Sequence, residues 1–133
     1  MIEINNLTTN PVAKEFLKKI AKKVLKGENK SEAEISIALV GEGRIMELNK
    51  KYRGKNRVTD VLAFGDNDGL GEIVICLREV KKNTKRYETT FEKELSKVLI
   101  HGILHLLGYN HEKSEVQAKK MEEKENYYLE KLK

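Results

Sequence analysis

Cysteine is nearly absent from this chain. Cys76 is alone among 133 residues, so it has no disulfide partner within the chain and the fold must rest on an apolar core. Proline occurs once, and neither a low-complexity linker nor an internal repeat divides the sequence; the length is that of one ordinary domain, taken as residues 1–133. Long hydrophobic runs are also missing. Nothing approaches the roughly 18 apolar residues of a membrane span, and the opening MIEINNLTTN has neither the basic nor the apolar region of an export signal. The expectation is a cytoplasmic protein with no membrane partner, in which Cys76, inside the apolar run GEIVICL, is a buried thiol. Histidine is scarce too, and all three fall within His101–His111.

What is abundant is charge. Asp, Glu, Lys and Arg make up 35% of the residues, and 26 basic against 21 acidic side chains leave a net charge of +5. The excess permits an anionic partner such as nucleic acid without demanding one. An ion-paired, solvated surface of the kind enriched in heat-adapted proteins satisfies it equally.

Along the chain, IEINN reads as a first strand. Asn10 and Pro11 predict the cap and first position of a helix whose apolar face runs through Val12, Phe16, Leu17, Ile20, Val24 and Leu25 to Gly27. Glu34–Val40 (EISIALV) has strand periodicity, Ile45 to Asn49 predicts a short helix, and Val58–Phe64 and Leu70–Leu77 predict hairpin strands joined by the turn-rich GDNDG. Arg78–Arg86 is a polar helix. Thr89 with Glu92 predicts a capping box for a longer helix to Leu107, whose end, VLIHGILHLL, is apolar nearly all round and so belongs in the core. Ser114 and Gln117 cap a last, highly charged helix ending near Leu132. Mixed elements followed by helices argue an α+β fold, a single domain with a small mixed sheet and packed helices.

The stretch HGILHLLGYNH carries the chemistry. On a helix, His101 and His105 lie one above the other and can aim two imidazole nitrogens at one point. Gly108 is suited to end the helix in the left-handed conformation, returning His111 toward the same point. Three neutral imidazoles with a fourth position open describe a catalytic site for one divalent metal ion, zinc by its donor set; closed structural sites usually need several cysteines, and Cys76 alone cannot supply them. The spacing is similar to that of the metzincin peptidases, but Gly102 stands where their general-base glutamate follows the first histidine. That counts against peptide hydrolysis. Glycine here leaves room for a bulky substrate group or for a close helix crossing.

A second segment, LNKKYRGKNRVTDVLAF, gathers Lys50, Lys51, Arg53, Lys55 and Arg57 around Tyr52, with no acidic residue until Asp60. Arginine grips phosphate with two parallel bonds, and an aromatic ring offers a base a stacking face, here Tyr52 or Tyr109. A solvated turn is the alternative on charge alone.

These motifs, with LGEIVIC between them, make the sequence resemble the YbeY endoribonucleases of bacteria over nearly its whole length. The resemblance implies a small α+β domain, zinc held by His101, His105 and His111, and Arg53 as the catalytic arginine of the cleft. With RNA as substrate, the basic run makes Lys51, Tyr52, Lys55 and Arg57 the expected RNA contacts. It implies single-stranded small-subunit ribosomal RNA as substrate, in 3′-end maturation and ribosome quality control, with the small ribosomal subunit and ribosome-assembly proteins as partners. Asn110 and Glu72 stand where the family commonly has aspartate, and Ala63 and Gly65 flank Phe64 where it has serine and proline. None of these departures removes a metal ligand, although Asn110 cannot ionise, which leaves the base unassigned. The competing functions are a metallohydrolase of peptides or small substrates and an assembly factor with a structural metal.

Overall fold

The computed structural model describes residues 1–65 and 70–132, and the predicted turn at residues 66–69 lies outside them. Among the described residues, four strands and five helices follow one another as β1 (Ile2–Asn6), α1 (Lys14–Gly27), β2 (Glu34–Val40), α2 (Glu42–Arg53), β3 (Val61–Gly65), β4 (Leu70–Cys76), α3 (Leu77–Arg86), α4 (Phe91–Leu106) and α5 (Glu115–Lys131). The sheet order is β1-β2-β4-β3; β1, β2 and β4 run parallel, and β3 is antiparallel to β4. This is the expected α+β fold with a mixed sheet. Among the described residues, no helix is long and apolar enough to cross a membrane.

Strand periodicity divides the core in two. In β2 and β4, Ile35, Ile37, Leu39, Ile73 and Ile75 point to the face covered by α1, α3, α4 and α5. Ala38, Val40, Val74 and Cys76 point to the other, where α2 inserts Ile45. Both faces of these inner strands are therefore buried, which is why EISIALV is apolar on either side of its alternation. α4 lies at the centre of the larger core, with Leu95, Val98, Leu99, Ile100, Ile103 and Leu104 all buried. Each such side chain stabilises the fold by roughly 1.5–3 kcal/mol over an exposed one.

Several boundaries differ from expectation, each for a local reason. α1 starts at Lys14, with Ala13 preceding it, because the Asn10 carbonyl accepts the Asn6 side-chain amide at 2.7 Å and so closes a turn instead of opening the helix. α4 is capped by Thr90, whose hydroxyl accepts the Lys93 N–H at 3.2 Å; Thr89, the predicted cap, uses its own N–H on the Thr84 carbonyl. α2 is longer than expected and carries its helical turn through Arg53 to Gly54 at φ +67°, the left-handed region open to glycine. β3 begins only at Val61, since the Asn49 side chain donates to the Arg57 carbonyl at 3.0 Å and holds the preceding loop against α2. Ser114 caps α5 as expected, accepting the Gln117 N–H.

Candidate active site

α4 brings His101 and His105 to one cleft because its remaining faces are committed to the core. Gly102, one helical step from His101 and turned toward the sheet, settles one use of the missing side chain: a Cβ there would lie 3.1 Å from Ile73 Cγ2 and 3.2 Å from Val61 Cγ2, so the glycine lets α4 cross close to β3 and β4. Gly108, at φ +108°, then turns the chain back. His111 arrives beside the pair on a more exposed loop, where the Asn110 side chain is occupied in accepting the Glu112 N–H at 2.9 Å.

Hydrogen bonds on the far ring edges orient the two helical imidazoles. His105 Nδ1 lies 3.1 Å from the Tyr109 carbonyl, which can only accept, so the neutral ring carries its proton on Nδ1 and keeps a lone pair on Nε2. Burial holds His105 below the ordinary histidine value, the nearby charges of His101, Arg53 and His111 add to this, and the bond to Tyr109 opposes it. The neutral form, the one able to ligate a metal, is favoured. His101 Nδ1 meets the Glu125 carboxylate of α5. Tyr109 is itself anchored: its hydroxyl donates to Glu28 Oε1 at 2.7 Å, a bond that pushes the phenol up to about 12. Burial alone would raise the Glu28 carboxyl, but bonds from Tyr128, Tyr109 and Lys124 outweigh it and leave the group below the usual carboxylate value. With its ring held in this way, Tyr109 is not the free stacking platform that the sequence allowed.

Does this donor set fit a metal? Two imidazoles sharing one tetrahedral zinc at ordinary bond lengths have ring centroids roughly 5 Å apart. His101 and His111 stand at 5.1 Å, and His105 and His111 at the wider 6.4 Å. Among the described residues no three His, Cys, Asp or Glu side chains form a closed, ready-made cation site. The histidines nevertheless fit in donor chemistry, and the widest gap involves the ring on the exposed loop, which has the most room to turn.

Facing the histidines is the end of α2 and the loop after it. Arg53, Lys55 and Arg57 line this wall with Asn49, Thr59 and Asp60. At about 200 Å³ the cleft is smaller than sites that enclose a whole small molecule, and it suits one link of a chain passing through. Lys51 and Tyr52 lie elsewhere. Successive helical residues turn by about 100°, so Asn49 and Arg53 share the cleft side of α2, whereas the Tyr52 ring packs on Phe64 at 5.2 Å with Lys51 Nζ above it. Glu72 lines, with Tyr52 and Phe64, a second groove on the α2 face of the sheet.

Sequence reasoning missed Asp60 and Glu125. Burial holds the Asp60 carboxyl above its ordinary value, partly offset by nearby His101 and by backbone N–H groups, and Asn83 donates to it at 3.3 Å. Its position at the end of the basic run was the available signal. Glu125 was obscured by the charged composition of α5, although it lies four residues after buried Met121 and three before buried Tyr128, on the inward face.

The family model described as endoribonuclease YbeY matches residues 3–133. Among proteins of that name, the one from Thermotoga maritima is 43% identical over 121 residues, spanning 90% of this chain and 77% of the relative. The one from Thermodesulfovibrio yellowstonii is 48% identical over 106 residues, 74% of this chain and 67% of its own length. The one from Petrotoga mobilis is 40% identical, with 97% and 92% covered. The solution structure of TM1509 from Thermotoga maritima superimposes with a TM-score of 0.71 at 39% identity, covering 98% of this chain and 87% of that one.

Proposed function

The chain belongs to the YbeY endoribonuclease family, and on that premise we propose that it is a metal-dependent, single-strand-specific endoribonuclease of small-subunit ribosomal RNA 3′-end maturation and ribosome quality control. The observation that carries the finer reading is the meeting of Arg53 with His101, His105 and His111 across one narrow cleft. The three histidines would hold one divalent ion, zinc by donor type. When bound, such an ion supplies Lewis-acid polarisation of a phosphate oxygen and lowers the pKa of water beside it.

The chain's own residues do the rest. The Arg53 guanidinium grips two non-bridging phosphate oxygens and offsets charge that builds on them during attack at phosphorus. Lys55 and Arg57 draw the backbone along the same wall. The cleft admits an unpaired strand at less cost than a duplex, which would have to open first. Glu125 and the Tyr109 carbonyl keep the two helical imidazoles turned toward the strand. The small ribosomal subunit and its assembly proteins are the partners that this reading requires.

The test offers metal-loaded protein three substrates: a labelled RNA with the 3′ region of small-subunit ribosomal RNA, its DNA counterpart, and an unfolded casein-like peptide. Cutting of the RNA alone, lost in His105→Ala, is expected. Histidine-dependent peptide cleavage with the RNA left whole would restore the metallopeptidase reading.

A further inference from the structure

A carboxylate on the core side of a helix is costly unless something satisfies it. Glu125 is such a group. Its side chain is 13% exposed, on the face of α5 that also carries Met121 and Tyr128 into the core, and the group that meets it is Nδ1 of His101. The same helix sends Lys124 and Tyr128 to Glu28, which anchors Tyr109, whose carbonyl orients His105. Both helical histidines thus have their Nδ1 edges fixed by groups that trace back to α5. Neither Glu125 nor Glu28 lines the cleft.

We propose that Glu125 is a positioning residue: it holds His101 in the Nδ1–H tautomer and in one ring orientation, so that Nε2 is presented to the cleft before any ion arrives. This rests on the metal reading above. The physical argument is one of pre-organisation. A free imidazole populates both tautomers and both ring flips, and selecting one combination at the moment of binding weakens affinity. A group that accepts from Nδ1 makes that selection in the folded protein, an arrangement typically worth tenfold to a hundredfold in metal affinity, about 1.4 to 2.7 kcal/mol. α5 therefore acts on the site from the side opposite the substrate.

The experiment compares wild type with Glu125→Ala, Glu125→Gln and Glu122→Ala, the last being an exposed acidic residue on the same helix. Zinc affinity is read by competition with a chelator of known strength, and histidine tautomers by long-range nitrogen–proton spectra of the metal-free chains. Thermal unfolding of the metal-free chains checks the fold. Glu125→Ala should lose tenfold to a hundredfold in affinity and shift His101 toward its Nε2–H tautomer. Glu125→Gln should keep much of both, since its amide oxygen still accepts from Nδ1–H, and Glu122→Ala should match wild type. Wild-type affinity in Glu125→Ala, beside a wild type that binds zinc, overturns the positioning role alone. Equal loss in Gln and Ala variants also overturns it, because it makes the charge of Glu125, or direct ligation by it, the cause. A wild type that takes up no ion overturns the metal reading and this role with it.

Discussion

The histidine wall of the cleft is carried by a helix buried on nearly every side, whereas the arginine wall is the exposed end of α2 and the loop that follows. On the first wall, both helical imidazoles are fixed at Nδ1 and the loop that brings His111 is tied through Tyr109 to Glu28. On the second, Arg53 and Arg57 are exposed, and among the described residues no ion pair holds Arg53, Lys55 or Arg57. The contrast matches what the proposed function asks of each wall. A metal accepts ligands only within narrow distances and angles, so its donors gain from rigidity. A nucleic-acid backbone varies in path, and long cationic side chains that adjust to it lose little by being mobile before it binds.

The rigid wall should yield the largest effects. Removing one donor by His101→Ala, His105→Ala or His111→Ala should abolish stoichiometric metal uptake and lower cleavage by about a thousandfold or more, equivalent to roughly 4 kcal/mol in the barrier. Elemental analysis beside a thermal melt separates this from unfolding, because metal binding and folding are coupled. Full metal content in all three variants would remove the basis for the comparison.

Arg53→Lys tests the mobile wall at its most demanding point. Lysine keeps the charge and reach but not the planar fork, so turnover should fall on the order of tenfold to a hundredfold with metal content and melting temperature unchanged. Unchanged turnover would reduce Arg53 to a solvated charge. A drop that came with loss of metal would mean that the two walls are not independent.

The Glu28 anchor should affect stability more than chemistry. Because the folded carboxyl is held below its usual value of 4.5, its contribution is fully present above that value and is lost as pH falls through the lower folded one. Glu28→Gln should therefore destabilise the chain at pH 7 by roughly 1.5–3 kcal/mol, the usual range for hydrogen bonds to a charged group. The gap between variant and wild type should close in acid below the carboxylate range. Urea unfolding at a series of pH values measures both, and a gap that persists undiminished at the lowest pH would assign the stability to shape instead of charge.

How far the sequence reveals these two walls depends on what each is made of. Histidines four apart on an apolar helix, followed by a glycine, are local facts, and their convergence follows from helix geometry and one left-handed turn. The basic run was legible as a cluster but not as a surface: α2 continues to Arg53, and its rotation sends Tyr52 onto Phe64 while Arg53 enters the cleft. Asp60 and Glu125 were illegible for a stronger reason. Their partners, Asn83 and His101, are 23 and 24 residues away, and only packing of α3 beside the strands and of α5 against α4 brings them within reach. The two misplaced helix caps are a different case, since Asn10 and Thr89 have the right chemistry but are engaged locally, through Asn6 and Thr84.

The smallest effect sharpens the comparison most, because it separates residues that composition treats alike. Lys51 and Lys55 are four apart in one basic run, yet Lys55 lines the cleft and Lys51 lies over the Tyr52 ring, away from it. If binding is governed by phosphate contacts along the arginine wall, Lys55→Ala should weaken affinity for unpaired RNA a few-fold and lower the log–log salt slope by roughly 0.7, the counterion release of one phosphate contact on a single strand. Lys51→Ala should leave both nearly unchanged. The measurement is a salt series of binding titrations with catalytically inactive His105→Ala protein, so that cleavage does not deplete the strand. A general attraction to the protein's net charge of +5 would instead make the two variants equal, since each removes one positive charge from the same region of the surface. Equal slopes would dissolve the distinction between the basic cluster and the cleft wall. Unequal slopes in the expected order would assign the backbone path to the side of α2 that carries Asn49 and Arg53.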